Sequence, residues 1–346
     1  MAHLIDMSNN RANIAYRGET PWHGLGQALE AGASIQDWII AAGLAWECLS
    51  SQVQYSTGNG ELAVMEDRHV LFRNDTNAPL GLVSSRYKPV QPAEIMEFFR
   101  AITQGAGFEM ETAGSLRGGA QVWALAQAGQ AVEVSDGDKV APYVLLATSF
   151  DGSLPTTAKF TAVRVVCNNT ISMALSKHDK GATVKTRHST HFDPARIAAK
   201  LGIVGACFDG WMAHARTLAE SKITADDADG LLLAILRANG EDTKPLERKT
   251  QQAAIEQDDG ATFAALIGDN DTIRKSKEYR RIMGLFEGEA IGANLLDGGN
   301  RWGMLNAVTQ YVDHDRVKND DRRMQAAWFG KGDELKTSAL QTLLTM

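Results

Sequence analysis

At His191 the chain changes character, and that change constrains the fold more than any other feature. Before it, from about Ser51, short β-prone runs alternate with turn signals; after it, apolar residues recur at helical spacing. SSQVQYSTGNGELAVM sets Gly58-Asn59-Gly60 between two β-prone runs, which predicts a hairpin. RHVLFRNDTNAPLGLVSSRY repeats the pattern with Asn74 to Pro79 as its turn. RGGAQVWALAQAGQAVEVSDGDKVAPYVLLATSF supplies three more runs, and TTAKFTAVRVVCNNTISMAL is rich in β-branched residues, where Ala158, Phe160, Ala162 and Val165 at first suggest period two. One helix interrupts: PAEIMEFFRAITQGAG opens at Pro92, puts Ile95, Phe98, Phe99 and Ile102 on one face, and stops at Gly105.

Beyond His191 the helix signals take over. Asp193 is an N-cap and Pro194 a first helical residue, and Thr224 and Gly240 bracket TADDADGLLLAILRANG. KPLERKTQQAAIEQ, RRIMGLFEGE and GNRWGMLNAVTQYVDHDR continue in the same manner. The expectation is an α+β fold: an N-terminal antiparallel-sheet region with one packed helix, then a mostly helical C-terminal region. The expected division is residues 1–191, with a basic hairpin, and residues 192–346. Seven Trp spread over both parts imply substantial cores. No window approaches the roughly 18 apolar residues of a membrane span. Three widely spaced cysteines suit a reducing compartment, so a cytoplasmic location is expected.

Charge is distributed against the grain of the whole. The chain carries a net −7, yet Lys159, Arg164, Lys177, Lys180, Lys185 and Arg187 crowd one segment with only Asp179 opposing them. SKHDKGATVKTRHSTH reads as two short strands about a Lys-Gly turn, a hairpin that would project several cations from a small area. Phosphate backbones reward that arrangement, because each neutralised phosphate releases condensed counterions. A second cluster, SSRYKPVQ, sets Tyr87 between Arg86 and Lys88, a pairing of cation and aromatic that suits stacked single-strand bases. Arg117, in SLRGGAQVW, adds a further cation near Trp123. The plainer reading takes these as solvated charges and the two aromatics as core anchors.

Other candidate chemistry falls to its structural alternative. His188 and His191 are three apart, but the helix starts after them, and odd spacing on a strand sends side chains to opposite faces, so no metal site is expected. Cys167, preceded by Val165 and Val166, fits a buried thiol better than a nucleophile. SFDGS lacks the Gly-x-Ser-x-Gly of a nucleophile elbow, and neither RGGAQ nor LDGGNRWG matches a phosphate loop. ITADDADG lacks the bidentate Glu of a calcium loop and reads as helix-capping carboxylates. No catalytic residues, no cofactor and no metal are expected. Enzymatic activity stays open, with the balance against it.

Five stretches in register carry a resemblance: ETPWHGLGQAL, SSRYKPVQPAEIMEFF, SFDGS, FTAVRVVCNNTISMAL and NRWGMLNAVTQYVDHDR. Together, from about Glu19 to Arg316, they resemble the phage/plasmid-like protein family, also known as domain of unknown function family 932. The resemblance implies carriage by bacteriophages, prophages and plasmids, among genes for DNA handling and evasion of host defence, and so a cytoplasmic location in a bacterial host. It implies no activity and no catalytic residues. Its motif residues Trp22, His23, Gly24, Arg86, Tyr87, Arg164, Cys167, Asn169, Arg301, Trp302 and Asn306 are therefore candidates without a role. Trp22 and His23 belong to a loop, as a grip on a partner or a plug that pins the N-terminal arm. Arg164, flanked by valines, must cross to a carboxylate or point at a phosphate.

Three functions are open at this point. The first is binding of nucleic acid, single-stranded DNA above all, in recombination or replication. It extends to annealing by a homo-oligomer, because some annealing proteins share the plan of a curved sheet backed by a helix. The second is an interaction protein that counters a host defence or regulatory factor and needs a host protein as partner. The third is an enzyme whose site involves His23, His178 or His188.

Overall fold

Ile14 and Ala15 are fully buried, and the reason is a strand that the sequence signals only faintly. The computed structural model describes residues 5–18, 24–106, 108–164, 169–172, 183–193, 196–197, 204–239, 270–295, 299–316 and 328–346. Its strands are β1 (Ile14–Arg17), β2 (Gln27–Leu29), β3 (Cys48–Ser56), β4 (Leu62–Arg73), β5 (Pro79–Ser84), β6 (Glu109–Leu116), β7 (Gln121–Gln127), β8 (Val132–Ser135), β9 (Asp138–Ser149), β10 (Thr156–Arg164), β11 (Asn169–Ser172) and β12 (Thr183–Thr186). The α-helices are α1 (Ile35–Ala41), α2 (Pro92–Ala106), α3 (Val204–Glu220), α4 (Ala225–Ala238), α5 (Asn270–Lys275), α6 (Lys277–Gly284), α7 (Arg301–Gln310) and α8 (Lys331–Thr345). The class is α+β, as the sequence predicts.

Two compact units emerge, residues 1–130, 141–161 and 179–208, and residues 131–140, 162–178 and 209–346. In the first, β10, β9, β7, β6, β1 and β2 follow one another in a sheet, with β12 paired to β10. β7 is antiparallel to both β6 and β9, whereas β1 and β2 are parallel. Only nine residues join β1 to β2, shorter than the usual crossover of a parallel pair. Gly26 makes the return possible: its φ is +118°, and a Cβ there would lie 2.9 Å from the Ile14 carbonyl oxygen. α2 packs on β6 and β7 and buries Ile95, Met96, Phe98 and Phe99.

β3, β4 and β5 form a second, antiparallel sheet built on the two predicted turns. The end of β4 is locked to the start of the chain. The Arg73 guanidinium, 1% exposed, bonds Asp6 at 2.5 Å and Asp75 at 2.7 Å and lies 4.6 Å over the Trp46 ring. Asp6 also accepts from Asn13, Ser8 and Ser115. Burial alone would raise the Asp6 carboxyl, but the bonds from Ser8, Asn13 and Arg73 outweigh it and hold it below the carboxylate range.

The second unit is organised about α7, where every residue from Trp302 to Gln310 is buried. A helix apolar on one stripe only could not sit there; this one is surrounded. Below it the chain widens into a π-helical turn at Tyr311–Asp315, and a second follows α6 at Leu285–Glu289. Arg281 ties the two, bonding Asp315 at 2.8 Å and pairing with Glu289. Lys336 of α8 makes a buried ion pair with Asp313 at 2.9 Å.

Several expectations are corrected. β10 is buried on both faces from Thr156 to Ala162, so its period two disappears, and Lys159 is only 4% exposed. β12 pairs with β10 in the register Lys185–Thr157. The rest of the proposed basic hairpin, and KPLERKTQQAAIEQ, fall outside the described residues. Asp193 does cap, accepting from the Arg196 N–H at 3.0 Å, and Thr224 forms a capping box with Asp227. Among the described residues no helix is long and apolar enough to cross a membrane.

Candidate nucleic-acid interface

Three segments remote in sequence meet in the first unit: residues 84–88 after β5, the turn 149–154 after β9, and residues 185–188 at the end of β12. Hydrogen bonds join them. The Lys88 N–H donates to the His188 carbonyl at 2.6 Å, and the Tyr87 hydroxyl to the Ser149 carbonyl at 2.6 Å. His188 Nε2 donates to the Leu154 carbonyl at 3.0 Å, leaving Nδ1 buried with no partner among the described residues. The Tyr87 and His188 rings stack, with centroids 4.3 Å apart. Burial pushes the Tyr87 hydroxyl above its ordinary range, which keeps it a donor.

The 149–154 turn is fixed from within. Ser149 Oγ donates to the Leu154 carbonyl at 2.9 Å, and Asp151 accepts from the Ser153 N–H at 2.9 Å, the Asx geometry that Asp-Gly favours. From outside, Gln121 donates to Ser153 Oγ at 2.8 Å. β5 presses against this turn at Gly81, where an added Cβ would fall 2.5 Å from Asp151 Cα. Only glycine permits that approach.

Tyr87 and His188 turn inward, while Arg86 and Lys88 on either side of Tyr87, and Lys185 and Arg187 just before His188, are exposed. None of the four forms an ion pair with a described carboxylate. The strand Thr183–Thr186 holds Lys185 at the sheet edge, opposite Thr157. The fold thus gathers two pairs of cations, one from each sequence cluster, on a scaffold of hydrogen-bonded turns. Arg117 lies at the same turn, 3.8 Å from Asp151, in a left-handed conformation with φ 53°.

The other predicted residues are placed differently. Lys159 is interior and does not join the surface charges. Tyr87 has one ring face on His188, so it anchors the chain that carries Arg86 and Lys88, and Trp123 is a core residue of β7. Trp22, His23, Cys167, Lys177 and Lys180 lie outside the described residues, while Arg164 ends β10 and Asn169 begins β11. Arg301, Trp302 and Asn306 belong to the second unit and serve its packing. Arg301 donates to the Leu343 carbonyl at 2.7 Å, Trp302 to Asp138 at 2.8 Å, and Asn306 to the Trp302 carbonyl at 2.8 Å. His188 is buried and His191 exposed, and no three His, Cys, Asp or Glu side chains gather as a metal site among the described residues.

What the sequence reading missed is the partnership of Tyr87 with His188. The available signal was a shared spacing, two cations with one residue between them in Arg86-Tyr87-Lys88 and again in Lys185-Thr186-Arg187.

No curated protein and no solved structure matches the chain. A family model matches residues 79–328, a span that takes in four of the five resemblance motifs and leaves ETPWHGLGQAL outside. That model is described as Domain of unknown function (DUF932), it covers well over half of the 346 residues, and the chain belongs to this family.

Proposed function

We propose that the chain binds the sugar-phosphate backbone of nucleic acid, single-stranded DNA foremost, along the edge formed by Arg86, Lys88, Lys185 and Arg187. The carrying observation is the convergence of these four exposed cations, without described counter-charges, on the Tyr87–His188 scaffold. A net charge of −7 does not oppose it, because at a Debye length of about 8 Å the local field decides. The contacts are to phosphate and so carry no sequence preference. The motif resemblance to phage and plasmid proteins supports a role in recombination or replication of a mobile element. Annealing of complementary strands belongs to this reading, and it requires more than one copy of the chain.

The test is fluorescence anisotropy of a labelled single-stranded oligonucleotide across a salt series. Tight binding that weakens with salt is expected, and replacing all four cations by Ala should flatten the log–log slope by about 3, at about 0.7 per phosphate contact. Absence of binding at low salt, or a quadruple variant with an unchanged slope, overturns the reading.

A further inference from the structure

β3 reads CLSSQVQYS, nine residues without a charge or a proline, and all but Cys48 and Val53 are exposed. One edge of it bonds β4. The direction of the other edge follows from the two ends of the strand. At the start, the Gln91 side chain accepts from the Cys48 N–H at 2.8 Å and donates to its carbonyl at 3.1 Å, so Cys48 points away from β4. Just past the end, the Thr57 N–H donates to the Glu61 carbonyl at 2.8 Å, so Thr57 points across the hairpin. Backbone groups alternate along a strand, and both ends give the same answer: Ser50, Gln52, Gln54 and Ser56 face outward. No described residue bonds their backbones.

Soluble proteins blunt such edges with lysine, proline, short strands or bulges. β3 is long and has none of these, and the register shift near Gln52 places its extra residues on β4. Its odd-numbered side chains add an apolar face. Leu49 stands opposite Phe72, Val53 opposite Met65 and Tyr55 opposite Ala63, with Leu82 of β5 beyond Val70. Leu49, Tyr55, Met65 and Leu82 remain between 38% and 56% exposed.

We infer that β3 pairs antiparallel with β3 of a second copy of this chain about a two-fold axis, making one continuous sheet of two three-stranded halves. Charge selects this occupant. Two copies at −7 repel wherever acidic surfaces approach, and in a two-fold antiparallel pair the central residues meet their own counterparts while the outer ones meet one another in reciprocal pairs, so a strand carrying charge of one sign would meet its like. A strand of nine uncharged residues meets that condition, and the two apolar faces join into a single stripe. The inference deepens the oligomeric part of the nucleic-acid reading but does not depend on DNA.

The experiment is sedimentation velocity on the full chain, without nucleic acid, from low to high micromolar, alongside Gln54→Pro and Val53→Lys. Gln54→Pro removes an outward N–H and spares the ladder to β4; Val53→Lys puts a charge into the stripe. A wild-type dimer that both variants lose is expected, with the amides of Ser50, Gln52, Gln54 and Ser56 exchanging more slowly as the wild type is concentrated. A wild type that stays monomeric, or a dimer that persists in a folded variant, overturns the pairing. If one variant does not fold by circular dichroism, the other decides. Anisotropy on a monomeric variant separates the two readings, because phosphate binding by the basic edge survives loss of the dimer.

Discussion

His188 lies flat against Tyr87, with ring planes 17° from parallel, although 100 residues of chain separate the two. The stack holds two cation-bearing segments together, so scaffold and contact residues can be told apart by experiment. Tyr87→Phe keeps the ring and loses the bond to the Ser149 carbonyl, and should cost about 0.5–1.5 kcal/mol in chemical denaturation. Arg187→Ala should leave stability unchanged within about 0.5 kcal/mol and lower the salt slope of DNA binding by about 0.7.

Arg73→Met should be among the most damaging single changes in the first unit. It strands the Asp6 carboxylate in the interior, and losing one partner of a buried pair costs about 3–5 kcal/mol. The penalty depends on pH. Asp6 and Asp75 titrate below the ordinary carboxylate range in the folded chain, so their contribution is present above that range and is lost as pH falls through the lowered values. Urea titrations at neutral pH and near pH 3 should show the gap between wild type and variant narrowing in acid.

Glu111 has the opposite sign. Burial raises its carboxyl, against the hydrogen bond from the Tyr143 hydroxyl at 2.6 Å and the nearby Arg17. A raised folded value means stability that is present below the unfolded pKa and lost as pH rises through the folded one. Glu111→Gln should therefore raise Tm at neutral pH, and the gain should vanish near pH 4. A gain that persists in acid would sink the assignment.

Gly26→Ala should loosen β2 from β1. The left-handed φ and the contact with the Ile14 carbonyl together cost about 1–3 kcal/mol. Limited proteolysis should show faster cleavage at β2 (Gln27–Leu29), detectable by mass spectrometry before global unfolding.

The parts of the fold legible in sequence are those with local chemistry. Gly58-Asn59-Gly60 and Asn74–Pro79 gave their hairpins, and Pro92, Asp193 and Thr224 gave helix starts. The Ser34–Asp37 capping box that opens α1 is a local signal of the same kind. α8 lacks one, because it begins at Gly330 without a side-chain cap. Lys159 shows the limit of charge counting: alternation cannot reveal that β10 is buried on both faces. The interface was half visible. Its cations stood out, but their convergence depends on His188 meeting Tyr87 and Leu154, pairings that no local pattern encodes.

The ladder between β4 and β5 also bears on where this family's signature ends. The matched residues begin at 79, the first residue of β5, whereas β4 closes at Arg73 and β1, the partner of β6, closes at Arg17. A fragment cut at the family bounds would keep β5 without its ladder and β6 with one side bare. The stretch recognisable by descent is thus shorter than the stretch that must fold together, and any expressed fragment should follow the second.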